Sequence, residues 1–480
     1  MTYRVRFAPS PTGDLHIGGA RTALYDFLLA KHYGGQYVLR VEDTDLERSS
    51  KESEEAILSE LKWLGVGHDE GPDVGGSLQP YRQSERLQEY KELALKLVSE
   101  GKAFFDFCSQ EELDRMKEKH LAEGTPSYTG RWREESSFAE AKVRVEAGES
   151  APIRLKVNPA KSYTFKDIVR GEVRFPAGMV GDFIILRSNG LPTYNYCNVI
   201  DDHFHQITHV YRAEEHLNNT LRQLMVADAL GYEYPNFGHL SIMIGEDRQK
   251  LSKRHGAVSV KKYRELGYLP QALNNYLCLL GWSHPEEKSI FKISELYEVF
   301  DEKRFNKSPA MYDIEKLKWT NAQHLKLLTD QELLDHADEV LPKDGYYGKL
   351  SEADKLCALK LFVEKIQLIS EVEEQLAHYL TNDAFEESDD VKAMLELEST
   401  KLMAQDLKQK VSAYRADRVQ VEDFKSWMNH YKKEMKIKGK PLFMGLRVAL
   451  TGQNHGPDLA PLISLIPKEN LIVMLNKVMA

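Results

Sequence analysis

The chain of 480 residues carries 64 Lys and Arg against 74 Asp and Glu, a formal net charge of −10, with 42% hydrophobic and 29% charged residues. That balance excludes a disordered chain, and the length predicts about three domains at roughly 100–200 residues each. With no apolar run near the roughly 18 residues a bilayer requires, no signal-peptide pattern, and four scattered cysteines (Cys108, Cys197, Cys278, Cys357), a soluble cytoplasmic enzyme without disulfides is expected.

Tyr3-Arg4-Val5-Arg6-Phe7 alternates as a strand does, and Ala8-Pro9-Ser10-Pro11-Thr12-Gly13 is a turn-rich loop. A helix is predicted from Ile17, with Ala20, Ala23, Leu24, Phe27 and Leu28 on one side, stopping at Gly34-Gly35. Tyr37-Val38-Leu39-Arg40-Val41 is a second strand, and this spacing predicts a right-handed parallel βαβ unit. Residues 100–175 mix a polar helix (111–121) with strand pieces such as 152–157 and read as an insertion. Strand runs at 183–187, 207–211 and 240–244, around a helix over 213–230, are expected to form the second half of a doubly wound sheet. Beyond Pro270 nearly everything reads as helix, as in the stripe Leu356, Leu359, Phe362, Val363 and Ile366. The expected fold is α/β: a doubly wound, Rossmann-like parallel-sheet domain with an inserted α+β region, followed by an all-helical part from about residue 325.

Net acidity hides an asymmetry. Residues 401–480 hold 14 Lys and Arg against 7 Asp and Glu, whereas 331–400 hold 6 against 18. Lys425, Lys432, Lys433, Lys436, Lys438 and Lys440, with Trp427 and Tyr431 interleaved, suit RNA phosphates and unstacked bases. Taken alone, the run reads more simply as a solvated helix face.

The first βα loop, Arg6-Phe7-Ala8-Pro9-Ser10-Pro11-Thr12-Gly13-Asp14-Leu15-His16-Ile17-Gly18-Gly19, stands where an open α/β sheet binds ligands. Free N–H groups and the helix dipole there favour phosphate, and Gly18 and Gly19 allow close approach to the backbone. Neither a Walker A nor a dinucleotide glycine pattern is present. Lys250-Leu251-Ser252-Lys253-Arg254 lies in a glycine-bounded loop after a later strand and could neutralise a triphosphate. Each motif alone has a plain reading, a surface turn and a solvated charge run. Together they resemble the His-Ile-Gly-His and Lys-Met-Ser-Lys-Ser signatures of class I aminoacyl-tRNA synthetases.

Further segments narrow the resemblance. Arg40-Val41-Glu42-Asp43-Thr44-Asp45, Pro80-Tyr81-Arg82-Gln83-Ser84-Glu85-Arg86, the run Pro192-Thr193-Tyr194-Asn195-Tyr196-Cys197-Asn198 through Asp201-Asp202-His203, and Arg212-Ala213-Glu214-Glu215-His216 closely resemble the bacterial glutamyl-tRNA synthetases. The likeness is dense to about residue 320 and weaker beyond. Gly19 replaces the second signature histidine, as is usual in that branch.

The resemblance implies ATP-dependent activation of L-glutamate and transfer to tRNA, with Mg²⁺ accompanying ATP. It implies catalytic roles for His16, Lys250 and Lys253, and ATP contacts from Pro9, Ser10, His16, Gly18, Gly19, Lys250, Leu251, Ser252, Lys253 and Arg254. It places glutamate against Arg6, Ala8, Ser10, Glu42, Tyr194, Asn198 and Arg212. The chemistry agrees: two arginine forks suit carboxylates, a glutamate suits the ammonium, and hydroxyl and amide groups add neutral hydrogen bonds. Enzymes of this family generally require bound tRNA even for activation. The implied layout is catalytic halves at 1–100 and 181–245, an acceptor-stem-binding insertion at 101–180, a stem-contact region with the lysine loop at 246–325, and a helical anticodon-binding domain at 326–480. A monomer is expected, with no membrane partner.

Some relatives hold zinc in the insertion. Here Asp106-Phe107-Cys108 keeps one cysteine, with Tyr128 and Trp132 where further ligands would stand, so no protein-bound zinc is expected. His203, His205 and His209 are read as structural. The glutaminyl branch, which keeps His-Ile-Gly-His and a β-barrel anticodon module, fits less well. A catalytically dead RNA-binding relative would lose His16, Lys253 or Arg212, and all three are present.

Overall fold

The computed structural model describes residues 3–45, 47–123, 128–252, 259–381 and 384–479. Its backbone contacts divide the chain into two units, 1–263 with 273–314 and 264–272 with 315–480.

In the first unit, β1 (Arg4–Phe7) leads through a loop into α1 (Ile17–His32), and β2 (Gln36–Leu39) returns parallel to β1, with Arg4 opposite Gln36 and Phe7 opposite Leu39. His16 caps α1, its Nδ1 accepting the Gly18 N–H at 3.0 Å, and the predicted apolar side of the helix is buried. α2 (Lys51–Leu64) is capped by Ser50 and ends at Gly65, whose φ of +70° suits glycine.

After α3 (Leu87–Ser99) the insertion supplies β3 (Ala103–Phe105), α4 (Gln110–Glu123), α5 (Phe138–Glu146), β4 (Ile153–Leu155), the hairpin β5 (Tyr163–Asp167) and β6 (Gly171–Phe175), and β7 (Phe183–Leu186). Here the expectation fails in part. The run at 183–187 does not join the parallel sheet; β7 lies antiparallel to β4, completing the order β3-β4-β7. A short apolar run announces a strand but not its partner, and a tight turn at Asn189-Gly190 bends this one back at the edge of the insertion.

The parallel sheet resumes after α6 (Tyr194–Phe204) with β8 (His209–Ala213), which lies beside β1, the Thr208 N–H donating to the Arg4 carbonyl at 3.0 Å. α7 (Leu217–Leu230) crosses to β9 (Asn236–Leu240), parallel to β8. The run at 240–244 proves to be two pieces, the end of β9 and then β10 (Met243–Ile244), which pairs in parallel with β11 (Ala310–Met311) beyond α8 (Val260–Glu265) and α9 (Pro270–Leu279). Residues 280–309, expected to be mostly helical, are turns and 3-10 segments gathered around buried Trp282, Phe300 and Phe305.

The second unit is helical: α10 (Ile314–Lys326), α11 (Asp330–Val340), α12 (Glu352–Phe362), α13 (Glu371–Thr381), α14 (Asp389–Glu396), α15 (Glu398–Ser412), α16 (Val421–Lys433), α17 (Lys440–Thr451), α18 (Leu459–Leu465) and α19 (Lys468–Met479). Of the predicted stripe, Leu359, Phe362 and Ile366 are buried, and the core continues through Met403, Leu407, Leu446, Leu471 and Leu475. α11 opens with a capping box, Thr329 and Glu332 each accepting the other's backbone N–H. No single described helix is long and apolar enough to cross a membrane.

Candidate active site

A cleft of about 810 Å³ opens at the carboxyl ends of β1 and β8. Its two ends differ in build. At one end stands the N-terminus of α1. Because the His16 Nδ1 accepts from Gly18, the neutral imidazole carries its proton on Nε2, leaving a donor for an anion. Burial and the Lys250 ammonium both push His16 below its ordinary pKa, favouring that neutral form. A Cβ on Gly18 would stand 3.2 Å from the His16 Nδ1, and one on Gly19 3.2 Å from Leu15, so side chains there would press on the cap or the loop. Lys250 lines the same end, ion-paired to Glu215, with Leu251 and Ser252 beside it. The hairpin carrying them is set by the Leu251 N–H donating to the Met243 carbonyl at 3.0 Å. Lys253 and Arg254 lie outside the described residues.

The other end is lined by Arg6, Ala8, Ser10, Glu42, Tyr194 and Arg212. Arg6 was open to being an edge residue facing solvent; it is instead 4% exposed, its Nε donating to the Asp202 Oδ1 at 3.2 Å. Asp202 also receives the Arg40 Nη1 at 2.6 Å, and Arg40 reaches Glu42 at 3.3 Å. Burial raises Glu42 above the usual carboxylate range, with Arg40 and Arg6 working against that rise. For Asp202 the same two arginines outweigh burial and hold it below that range. Asn198 does not line the cleft. It lies beneath it and donates from Nδ2 to the Glu42 Oε1 at 2.6 Å. Pro9 is half-buried and does not line the cleft either, its carbonyl accepting the Glu42 N–H at 3.0 Å.

Arg212 is fixed from behind. Its Nη2 donates to the Thr220 hydroxyl at 2.8 Å and the Gln223 carbonyl at 2.7 Å, and its Nε to the His239 Nε2 at 3.3 Å. His239 can accept there because Asp167, at the end of β5, holds the Nδ1 proton at 2.5 Å. Burial opposes the charge of Asp167, but the His239 and Arg170 hydrogen bonds outweigh it and keep its pKa low. The buried Nη1 of Arg212 has no hydrogen-bond partner in the described structure, with the Tyr194 hydroxyl close by. A buried guanidinium edge without an acceptor is costly and suits an incoming carboxylate. The supporting set of Asp202, Arg40, Thr220, Gln223, His239 and Asp167 was not singled out from sequence. Arg40 and the doublet Asp201-Asp202 lay inside segments that carry the resemblance, but without an assigned role.

In the insertion, the residues weighed as metal ligands engage one another. The Tyr128 hydroxyl donates to the Asp106 Oδ1 at 2.7 Å, Arg154 donates to the Asp106 Oδ2 at 2.5 Å, and the Cys108 sulfur lies 3.1 Å from the Tyr128 oxygen. Trp132 is buried against Phe107 and the guanidiniums of Arg131 and Arg144. His203 stacks on Tyr232, His209 on Tyr3, and His205 on Tyr81, where burial and Arg40 push its pKa down to about 3.

In the helical unit, Lys425, Lys432, Lys433, Lys436, Lys438 and Lys440 are all exposed. The aromatic part of that expectation needs correction: Tyr431 is fully buried, its hydroxyl on the Asp406 carboxylate at 2.6 Å, and Trp427 packs against the core. An exposed aromatic ring within 401–479 is Phe443, on a cleft of about 450 Å³ lined also by Lys425, Lys440 and Arg447. The buried Nη1 of Arg447 lacks a partner among the described residues.

Residues 2–319 match the family model described as tRNA synthetases class I (E and Q), catalytic domain, and residues 331–479 match an anticodon binding domain. Glutamate–tRNA ligase 1 of Caldicellulosiruptor saccharolyticus is 42% identical over 481 residues, covering 99% of both chains, and glutamate–tRNA ligase of Desulforamulus reducens is 43% identical at the same coverage. Among solved structures, a glutamate tRNA ligase from Elizabethkingia meningosepticum in complex with its amino acid superposes with a TM-score of 0.86 at 32% identity, covering 100% of this chain and 99% of that one. The glutamate–tRNA synthetase of Elizabethkingia anophelis has the same TM-score at 33% identity, with 100% of both chains covered.

Proposed function

The chain belongs to the class I tRNA synthetases of the glutamate and glutamine branch, and from that membership we propose how its residues carry out its work as a glutamate–tRNA ligase. The reaction needs no side-chain nucleophile. The glutamate carboxylate attacks the α-phosphorus of ATP, pyrophosphate leaves, and the resulting glutamyl-adenylate is attacked by the terminal adenosine hydroxyl of tRNA. The protein's part is alignment and charge stabilisation.

The carrying observation is that one cleft joins two unlike anion sites, a helix N-terminus with a neutral histidine donor and a pair of buried arginines. Arg212, with its spare Nη1, takes the side-chain carboxylate, and Glu42 takes the ammonium. Arg6, Ser10 and Tyr194 complete the amino-acid end, while Asn198 acts through Glu42. His16 and the backbone of Gly18 and Gly19 receive the nucleotide phosphates, with Lys250 and Lys253 serving the leaving pyrophosphate. Mg²⁺ neutralises phosphate charge when bound. The cation would be held mainly by substrate phosphates and water, its usual mode of binding.

The helical unit reads the tRNA, with Phe443 offering a stacking face and Lys425, Lys440 and Arg447 neutralising backbone. The insertion contacts the acceptor end. The enzyme acts in the cytoplasm as a monomer. The test is charging of purified glutamate and glutamine tRNAs with labelled glutamate and ATP. Charging of the glutamate tRNA is expected. Charging of both would make the enzyme non-discriminating, and charging of neither by folded protein would overturn the reading.

A further inference from the structure

The start of the first signature and the segment from Ser259 are far apart in sequence, yet their backbones meet. The Val260 N–H donates to the Leu15 carbonyl at 2.9 Å, and Ser259 bridges His16 in antiparallel fashion. The residue that precedes the His16 cap therefore also holds the segment that begins at Ser259. Leu15 has one further backbone group, its N–H, and this donates to the Glu60 Oε2 at 2.7 Å.

Glu60 sits on α2, 7% exposed, on the face that otherwise carries Ile57, Leu61 and Leu64. A carboxylate on an apolar helix face is costly without partners. Burial disfavours its charge, while the Leu15 N–H and the Lys261 ammonium and backbone N–H favour it, with Asp14 nearby acting against. Glu60 thus faces the residue before His16 and the residue after Val260 at once. It touches neither substrate end of the cleft. For holding α2 in place, a leucine would pack as well. What a leucine could not do is accept the Leu15 N–H.

We infer that Glu60 is a positioning residue for adenylate formation: through Leu15 it fixes the His16 cap and the Ser259–Lys261 segment relative to each other. The inference rests on the reading of the cleft given above.

The experiment compares wild type with Glu60→Gln, Glu60→Met and Glu60→Ala in glutamate-dependent ATP–pyrophosphate exchange, with glutamate tRNA present, alongside tRNA binding and thermal melting. Gln keeps an acceptor for the Leu15 N–H, whereas Met keeps the bulk without it. Met and Ala are expected to lower kcat for exchange by about 10- to 100-fold, the scale of a small misalignment of reacting groups. The glutamate KM and the tRNA Kd should stay within about twofold, and Gln should recover to within about threefold of wild type. Met and Ala variants that melt lower yet keep their kcat would make Glu60 a stability residue only and overturn the inference. So would equal losses in glutamate KM, tRNA Kd and kcat, or a Gln variant no better than Met. If wild type itself shows no exchange, the reading of the cleft falls and this inference with it. Normal wild-type exchange with unaffected variants removes this inference alone.

Discussion

The two ends of the cleft hold their charges in opposite ways. At the end proposed for the amino acid the charges are buried and tied to one another before any substrate arrives: Arg6 to Asp202, Asp202 to Arg40, Arg40 to Glu42, and Arg212 through His239 to Asp167. At the phosphate end, Lys250 and Glu215 form a pair with side chains 64% and 44% exposed. The difference suits the role we propose for each end. A small zwitterion is recognised by preorganised geometry in low dielectric, where an imperfect match is heavily penalised. A triphosphate that enters, reacts and partly leaves needs cations that can change partner, and solvent makes that exchange cheap.

The largest effect should come from cutting the buried network at its centre. Asp202→Ala leaves Arg6 without its carboxylate and removes one of three from Arg40. A loss of about 3–5 kcal/mol is expected, seen as a lower denaturant midpoint for the first unfolding transition. A loss under about 1 kcal/mol would mean that the arginines reach water and that the two ends are not differently built. Next is Arg212→Ala, expected to weaken glutamate binding by about 2–5 kcal/mol with the ATP KM nearly unchanged. Arg212→Lys should not restore it, because an ammonium cannot serve Thr220, Gln223 and His239 while presenting a free edge to the substrate. An unaltered glutamate KM in the alanine variant would remove Arg212 from the pocket.

The same contrast decides what could be read from the sequence. Residues that face the cleft sit at strand ends and in loops of recognisable chemistry, so Arg6, His16, Glu42 and Arg212 could be carried over from the resemblance, with their position and type in agreement. The residues that hold them come from elements remote in sequence. Asp167 ends a hairpin in the insertion and His239 lies in β9, and nothing local to either says that they meet. The parallel pairing of β1 with β2 was legible because strand, helix and glycine stop followed in order. β7 was misassigned because its partner is set by a turn and by the edge it closes. In the helical unit, charge marked the basic region correctly, but composition could not tell buried Tyr431 from exposed Phe443; that depends on which face of α16 and α17 meets the core.

A smaller effect sharpens the indirect part of the comparison. Asp167→Asn removes the charge that keeps the His239 proton on Nδ1. The ring is then free to place its proton on Nε2, facing the Arg212 Nε donor head on. The glutamate KM should rise by about tenfold, as expected when a supporting partner rather than a binding group is lost. A rise in ATP KM of the same size would show that the two ends do not work separately.

The smallest effect is expected at the phosphate end. Glu215→Gln removes the charge paired with Lys250, and since both side chains are largely solvated, stability should change by less than about 1 kcal/mol. The carboxylate competes with phosphate for Lys250, so its loss should lower the ATP KM by about two- to threefold, with the glutamate KM unmoved. The gain should shrink in high salt, because screening weakens the ion pair in the wild type before ATP arrives. A rise in ATP KM would reverse the assignment, because Glu215 would then be helping the metal–nucleotide complex to bind. A change in stability as large as that at Asp202 would show that exposure is not what separates the two ends.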